Sequence, residues 1–344
     1  MTSIPRELEA AVAPLPYLAG EKRVVSAERL SGGLQNTNYK VVTVDGTAVV
    51  VRIPSLDAEE HGQTARIVHA STLAAGLCGV GPEVCAFDQS SGVIVTRFIN
   101  GHVLSPSDFA TASSSSLSGE RAALLSNVVA AIKRLHVECR GMEASQASDV
   151  LQGYDLGPVR TELRPHVEML RDLLHRTVGT WDEVVCCHND LDPSNIIIVS
   201  NRAYLVDWEW SGPGDRVCDL ATFCDLCNFD DDTERQALSE YYGEETLVAS
   251  KGLLQARLKL WRLWFVVRGS LWAAVKAASS SNGRKEESEK KKLADKEEKA
   301  EEIPPCDYAE YAATGWKTFA ERIGTQTVLG AMERVREGLR HVNR

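Results

Sequence analysis

The sequence predicts a mixed α/β (α+β) fold, with a small strand-rich amino-terminal region and a larger helical carboxy-terminal region. Residues 48–54 and 92–99 are short apolar runs rich in branched side chains, which is typical of buried strands. Residues 126–137 and 253–278 instead place apolar side chains three and four positions apart, which is the spacing of a helix face. A chain of 344 residues is long enough to form two lobes from such elements.

The composition argues against several classes of protein. The formal net charge is −10 and the pI is near 5.4, whereas a nucleic-acid-binding domain carries a basic excess. No apolar run reaches the roughly 18 residues that a membrane span requires, and no signal-peptide pattern opens the chain. We therefore expect a cytoplasmic protein that binds no nucleic acid and has no membrane span.

Cysteine usage indicates a reducing compartment. The nine cysteines form an odd and scattered set, which is not typical of a disulfide framework. Cys224 and Cys227 form a C-x-x-C pair, but no second pair lies at the spacing of a zinc site. We interpret these two residues as buried thiols in a helix.

Residues 281–302 differ sharply in composition from the rest of the chain. Seven of them are basic and eight are acidic, and Leu293 is their only large apolar side chain. Such a segment cannot bury enough apolar surface to fold by itself. We expect a charged insert there that is disordered or loosely helical.

The stretch 188–195 and the triplet 207–209 carry the strongest chemical signal in the chain. They read H-x-D-x4-N and D-x-E, and two short apolar runs with polar turn residues lie between them. A hairpin of this kind brings Asn195 and Asp207 together at its open end. Phosphoryl transfer requires a base or positioning group for the attacking hydroxyl and oxygen ligands for Mg²⁺. Asp190 has the chemistry for the first role, and Asn195 and Asp207 have it for the second.

The same residues also have a purely structural explanation. Asp190 and Asn195 are common turn residues, and Asp207 could serve as a cap. H-x-D-x4-N alone occurs by chance in many chains. Its combination with an apolar hairpin and D-x-E is what makes the phosphotransferase interpretation specific.

The residues that follow identify a family resemblance. Residues 207–215 read DWEWSGPGD and residues 219–221 read DLA, which resembles the D-[FW]-E-[YW] block and the downstream D-[IL]-[AG] of the choline/ethanolamine kinases. These kinases belong to the aminoglycoside-phosphotransferase superfamily, and the similarity covers nearly the whole chain. The resemblance implies a bilobal protein-kinase-like fold, with an ATP-binding lobe at 1–100 and a catalytic and substrate lobe at 101–344.

A glycine-rich turn that begins at Ser31 is the candidate phosphate loop. Adjacent glycines allow backbone amides to approach an anion closely, so such a loop can cover the phosphates of ATP, although a Gly-Gly pair is most often a simple turn. This turn is similar to the G-G-x-x-N of the family. The residues assigned to nucleotide binding here are Ser31, Gly32, Gly33, Leu34 and Asn36.

Arg52 is the cation expected to hold the nucleotide phosphates. The resemblance places an arginine in this strand, and its planar guanidinium can bind phosphate oxygens. The plainer alternative is an edge-strand arginine with its charged group in water. The family usually places a pairing glutamate just before the position of His69, and this chain has none there. By the same resemblance, Arg97, Phe98 and Ile99 form the hinge that meets the adenine edge.

The longest helical pattern carries a stripe of tryptophans that includes Trp272. On pattern alone such a stripe is more often core than ligand site. The resemblance assigns Trp272, Tyr311 and Trp210 to a choline pocket, where aromatic rings attract a trimethylammonium group that cannot donate hydrogen bonds. We also place Asp190 and Glu209 on the substrate side.

The sequence therefore predicts an ATP- and Mg²⁺-dependent kinase that phosphorylates the hydroxyl of choline or ethanolamine and serves phospholipid metabolism. Two alternatives stay open. A thiamine or aminoglycoside kinase would use the same catalytic residues. A catalytically silent nucleotide-binding protein would explain the missing glutamate near His69. The sequence leaves the oligomeric state undetermined.

Overall fold

The computed structural model describes residues 4–30, 36–54, 65–110, 117–143, 151, 155–290 and 307–342, with the backbone alone for 280–290. The chain forms two compact units. The first consists of Met1–Asp149 and Trp181–Lys251, and the second consists of Val150–Thr180 and Gly252–Arg344. This division does not coincide with lobes at 1–100 and 101–344, which stay a prediction.

A five-stranded antiparallel sheet forms the amino-terminal part of the first unit. Its strands are β1 Val24–Arg29, β2 Asn36–Thr43, β3 Ala48–Pro54, β4 Val84–Phe87 and β5 Ile94–Arg97, in the spatial order β1-β2-β3-β5-β4. Val49 and Val51 of β3 are fully buried in a core that also contains Leu8. Because side chains alternate along a strand, this burial turns Arg52 to the opposite face of the sheet.

Two small antiparallel sheets carry the central motif. Their strands are β6 His102–Val103, β7 Val185–Cys187, β8 Ile196–Val199, β9 Arg202–Leu205 and β10 Gly212–Gly214. β8 and β9 form a hairpin in which Ile196 lies opposite Leu205, so the predicted hairpin is confirmed, with its second strand starting at Arg202. A Cβ atom at Gly101 would lie 2.5 Å from the carbonyl oxygen of Ile198, so only glycine fits where the chain approaches β8.

Helices cover the rest of the first unit. They are α1 Arg6–Val12, α2 Ala65–Leu77, α3 Gly119–Glu138, α5 Arg216–Leu226, α6 Asp231–Tyr242 and α7 Glu244–Ala249. The apolar face of α3 buries Val128, Ile132 and Leu135, which confirms the helix predicted from their spacing. Cys224 and Cys227 at the end of α5 are buried free thiols, as the sequence predicted.

The second unit is helical. Its helices are α4 Arg164–His175, α8 Leu253–Lys290, α9 Tyr308–Ile323 and α10 Gln326–Val342, and α8 packs against the other three. Trp261 and Trp264 of α8 are about 1% exposed, so these two members of the tryptophan stripe are core residues. The backbone of 281–290 is helical, and residues 291–302 of the charged insert lie outside the described residues. Within the described ranges, no helix has the length and apolar character to cross a membrane.

Candidate active site

The loop after β7 presents Asp190 at the edge of the first unit's small sheets. Asn189 adopts a left-handed backbone conformation with φ of 64°, which Asn tolerates better than most residues. The Asp190 carbonyl accepts hydrogen bonds from the Asn195 side-chain amide at 3.0 Å and from the Asp192 backbone amide at 2.8 Å. Asp190 as a whole is partly exposed.

The open end of the β8–β9 hairpin brings Asn195 next to Asp207. The Val206 amide donates to the Asn195 carbonyl at 2.9 Å, and Asp207 follows directly with a φ of 66°. Positive φ at a residue other than glycine is unfavourable and is found most often at functional sites. The hairpin therefore brings Asn195 and Asp207 together at its open end, as the sequence predicted.

Negative charge accumulates around Asp207. Burial and the charges of Glu209 and Asp190 together raise the pKa of Asp207 to about 8, against the opposing charge of Arg52. Carboxylate and amide oxygens are the ligands that Mg²⁺ prefers, and the Asn195 side-chain oxygen is available because its NH₂ group bonds to Asp190. These carboxylate and amide oxygens are suitable ligands for a divalent cation, whose positive charge would offset the negative charge around Asp207.

Arg52 has an ion-pair partner that the sequence did not indicate. Its Nη2 lies 2.8 Å from Glu209 Oε2, and the two side chains are 14% and 7% exposed. The Asn36 side-chain amide donates to the same oxygen at 2.6 Å. Helix α2 contains no acidic residue, and His69, where a pairing acid was expected nearby, stacks on the Phe87 ring at 4.0 Å. Glu209 therefore orients Arg52 in place of a glutamate on α2.

We expect Glu209→Ala to raise the KM for ATP by roughly 10- to 100-fold, because Arg52 loses a charge-assisted hydrogen bond that is worth about 1.5 to 3 kcal/mol. Steady-state kinetics with the nucleotide varied would measure this. Glu143→Ala is a matched control, since it removes an ion pair to Arg66 whose side chains are 46% and 59% exposed. A rise in the KM for the acceptor alone would instead support the substrate-side role predicted from the sequence.

Asp219 of α5 holds the loop that carries Asp190. Its two carboxylate oxygens accept the backbone amides of His188 at 2.8 Å and Asn189 at 2.7 Å. The His136 Nε2–H donates to Asp219 at 3.0 Å, and His136 Nδ1 is hydrogen-bonded to the Tyr241 hydroxyl at 2.7 Å. Burial alone would raise the pKa of Asp219, but the hydrogen bonds from the His136 side chain and the His188 backbone amide outweigh it and lower that pKa.

Asp219 and His136 were not assigned a role from the sequence. In the sequence, Asp219 is part of the family-like DLA triplet, and His136 lies near the end of the helix pattern at 126–137. An acidic residue inside an otherwise apolar helical stretch is the signal that points to such a buried network. Cys187 lies beside this pair, and one ligand atom from each of the three residues is close enough to the others to hold a metal ion. Both His136 nitrogens and both Asp219 oxygens are already hydrogen-bonded, however, so we assign these residues to the buried network and not to a metal site.

The predicted nucleotide-binding residues are only partly described. Ser31, Gly32, Gly33 and Leu34 lie outside the described residues. At the predicted hinge, the Arg97 amide donates to the Glu83 carbonyl at 2.8 Å and the Phe98 amide donates to the Ala48 carbonyl at 3.1 Å. Both N–H groups are therefore used within the sheet, and Ile99 follows them in the chain.

An aromatic cluster lies in the second unit. The Trp272 ring of α8 packs edge-on against Tyr308 at 5.3 Å and against Tyr311 at 6.3 Å, both from α9. Tyr311 is 47% exposed, so the cluster reaches solvent. The sequence indicated Trp272 and Tyr311 but not Tyr308, which lies three residues before Tyr311 and hence on the same helix face. Trp210 belongs to the first unit, where its carbonyl accepts the Asn189 side-chain amide at 3.0 Å.

Comparison of the sequence with known protein families identifies the family to which this chain belongs. Residues 26–257 match the phosphotransferase enzyme family, APH. The chain belongs to this family. Among curated proteins, protein LicA of Haemophilus influenzae is 27% identical over 261 residues, which are 71% of this chain and 72% of that protein.

Solved structures share the fold of this phosphotransferase. A choline/ethanolamine kinase family protein from Mesorhizobium loti matches with a TM-score of 0.70 and 22% identity, covering 96% of this chain and 98% of that one. Choline kinase LicA from Streptococcus pneumoniae matches with a TM-score of 0.60 and 18% identity, covering 92% and 98%. At these identities the likeness shows the fold, and it confirms the predicted mixed α/β, protein-kinase-like architecture.

Proposed function

We propose that this phosphotransferase transfers the γ-phosphoryl group of ATP to the hydroxyl of choline or a closely related amino alcohol. The observation that carries the choice of acceptor is the solvent-reaching cluster of Trp272, Tyr308 and Tyr311. Electron-rich rings attract a quaternary ammonium group by about 0.5 to 2 kcal/mol each. The product would be a phosphomonoester for phospholipid synthesis in the cytoplasm.

The chemistry rests on Asp190. Its carboxylate orients the acceptor hydroxyl towards the γ-phosphorus and accepts the hydroxyl proton as the oxygen–phosphorus bond forms. Asn195 and Asp207 would hold Mg²⁺, which neutralises the charge of the triphosphate when bound. Asp219 keeps the Asp190 loop in place through the backbone amides of the two preceding residues.

The nucleotide would be held by the first unit. Arg52 supplies a cation for the phosphates, and Glu209 and Asn36 fix its position through hydrogen bonds of 2.8 Å and 2.6 Å to the same carboxylate oxygen. The turn at 31–34 would cover the phosphates with backbone amides. Since the amides of Arg97 and Phe98 are already hydrogen-bonded, we assign adenine recognition to the backbone of Ile99.

The two alternative functions differ in how well they agree with the described residues. A thiamine or aminoglycoside kinase would retain Asp190, Asn195 and Asp207. An aminoglycoside, which has no quaternary ammonium, would not need the aromatic cluster, whereas the cationic thiazolium ring of thiamine could use it. A catalytically silent protein was suggested by the missing glutamate on α2. The ion pair between Arg52 and Glu209 removes the reason for that suggestion, because Arg52 has its acidic partner.

The experiment that tests the function is an ADP-release assay with the full chain, ATP and Mg²⁺ over choline, ethanolamine, thiamine and kanamycin. We expect choline to give the highest kcat/KM. Highest turnover with kanamycin or thiamine would identify that compound, and not choline, as the acceptor. Nucleotide binding without turnover on any of the four compounds would favour a catalytically silent protein.

Trp272→Ala tests the aromatic cluster. We expect kcat/KM for choline to fall by about 1 to 3 kcal/mol of transition-state binding, with a smaller fall for ethanolamine, which can donate hydrogen bonds to carboxylates. Kinetics on both acceptors would measure this, with folding checked by circular dichroism. Tyr308→Phe is the control, since it keeps the ring and removes only the hydroxyl. Equal losses on both acceptors would mean that Trp272 is a core residue.

A further inference from the structure

Three cysteines from distant parts of the chain meet in the first unit, away from the residues assigned to phosphoryl transfer. Cys78 follows α2, Cys139 caps the carboxyl end of α3, and Cys186 lies in β7. The side chain of Cys139 is the largest influence on the pKa values of both Cys78 and Cys186. The Cys186 sulfur also donates to the Cys139 carbonyl at 3.5 Å. Cys139 is therefore the central member of a thiol cluster.

The members of this cluster differ in exposure. Cys139 is 2% exposed, whereas Cys78 and Cys186 are partly exposed, and all three are free thiols. A thiol that solvent can reach, with a second thiol buried directly behind it, is the arrangement in which an oxidised sulfur is captured as a disulfide.

Cys186 is the flanking thiol whose sulfur contacts Cys139 directly, through the hydrogen bond to its carbonyl. The hydrogen bond with Cys139 lowers the pKa of Cys186 to about 6, and the Met142 amide and the Arg140 charge act in the same direction against the effect of burial. The pKa of Cys78 is lowered only to about 7, and the nearby Glu138 charge opposes that shift. Thiolate, not thiol, is the form that attacks oxidants.

We propose that Cys186 and Cys139 form a dithiol site at which a peroxide produces an intramolecular disulfide, with Cys186 as the attacking sulfur and Cys139 as the resolving one. This inference does not depend on the acceptor of the phosphotransferase. Both sulfurs lie in the same unit, and β7 continues directly into the loop of Asp190, so the disulfide would tie α3 to the strand that leads to the site.

The reaction balances with hydrogen peroxide as the oxidant. The Cys186 thiolate attacks one peroxide oxygen, so that an S–O bond forms, the O–O bond breaks and hydroxide leaves to take up a proton. The Cys139 thiol then attacks the sulfur of the Cys186 sulfenic acid, an S–S bond forms, the S–O bond breaks and water leaves. In sum, two thiols lose two electrons and two protons, and one peroxide becomes two water molecules.

The test treats the full chain with a small excess of hydrogen peroxide near neutral pH, followed by thiol counting after denaturation and by peptide mapping without reductant. We expect two of the nine thiols to be lost and a Cys139–Cys186 peptide pair that dithiothreitol separates. In Cys139→Ser, dimedone should label Cys186 and no disulfide should form. Cys85→Ser is the matched control, because Cys85 is partly exposed and bonds to Tyr17 instead of a thiol.

Two results would overturn the proposal. One is a disulfide that joins any other pair, including Cys78 and Cys139. The other is oxidation of Cys186 no faster than that of Cys85, where we expect a difference of about tenfold or more because a lowered pKa increases the thiolate fraction of Cys186. Peptide mapping of the wild-type chain decides both outcomes, so the test holds even where Cys139→Ser fails to fold.

Discussion

Asp190→Asn is expected to lower kcat by about 10²- to 10⁴-fold while leaving the affinity for ATP within a few-fold of wild type. Asn keeps the size of the side chain and removes its ability to accept a proton, so about 3 to 5 kcal/mol of activation free energy should be lost. The backbone contacts of Asp190 with Asn195 and Asp192 use its carbonyl and should survive. Single-turnover rates and a nucleotide-binding titration would measure the two quantities separately.

Asp192→Asn is the matched control for this variant. Asp192 lies two positions away and accepts the Ser194 amide at 2.8 Å as the cap of a short 3₁₀ turn. Asn caps such turns about as well as Asp, so the rate should change little. A normal rate for Asp190→Asn would remove Asp190 from the chemistry, and equal loss in both variants would point to a general disturbance of the loop.

Asp219→Asn is expected to lower the free energy of unfolding of the first unit by about 3 to 5 kcal/mol and to abolish most activity. The amide NH₂ of Asn cannot accept a hydrogen bond, so one of the backbone amides of His188 and Asn189 would face another donor in a fully buried site. Thermal and urea unfolding would measure the loss. Asp225→Asn, a partly exposed position on the same helix, is the control.

The pH dependence of this stabilisation has a definite sign. The pKa of Asp219 is lowered in the folded protein, so its contribution is complete above the ordinary carboxyl pKa of about 4 and is lost as the pH falls through the lower folded value. The difference in stability between wild type and Asp219→Asn should therefore be constant from neutral to mildly acidic pH and shrink in strong acid. A difference that instead changed between neutral and mildly acidic pH would contradict the assignment of this stabilisation to Asp219.

The local part of the site could be predicted from the sequence. The approach of Asn195 to Asp207 follows from two short apolar strands joined by a polar turn, and a hairpin needs little beyond its own residues to form. The helix face of α3 followed in the same way from the spacing of its apolar residues. Helices and hairpins can be predicted when their apolar residues repeat regularly within about a dozen positions.

The partners of isolated charged residues could not be predicted in this way. Arg52 and Glu209 are 157 positions apart, and nothing near either residue indicates the other. His136 and Asp219 are 83 positions apart and meet only when α3 packs beside α5. Such pairs depend on tertiary packing, so a family pattern that lacks one partner, as α2 lacks its glutamate, does not reveal which residue replaces it.

The separation of Arg52 from Glu209 also has a consequence for the order of events during synthesis. At about 5 to 20 residues per second, the ribosome adds Glu209 roughly 10 to 30 seconds after Arg52. During that interval the nascent five-stranded sheet holds a half-buried guanidinium whose counter-charge has not yet been made. A free nucleotide or another anion can supply that counter-charge during the interval, so anion binding should stabilise the emerging sheet before Glu209 has been made.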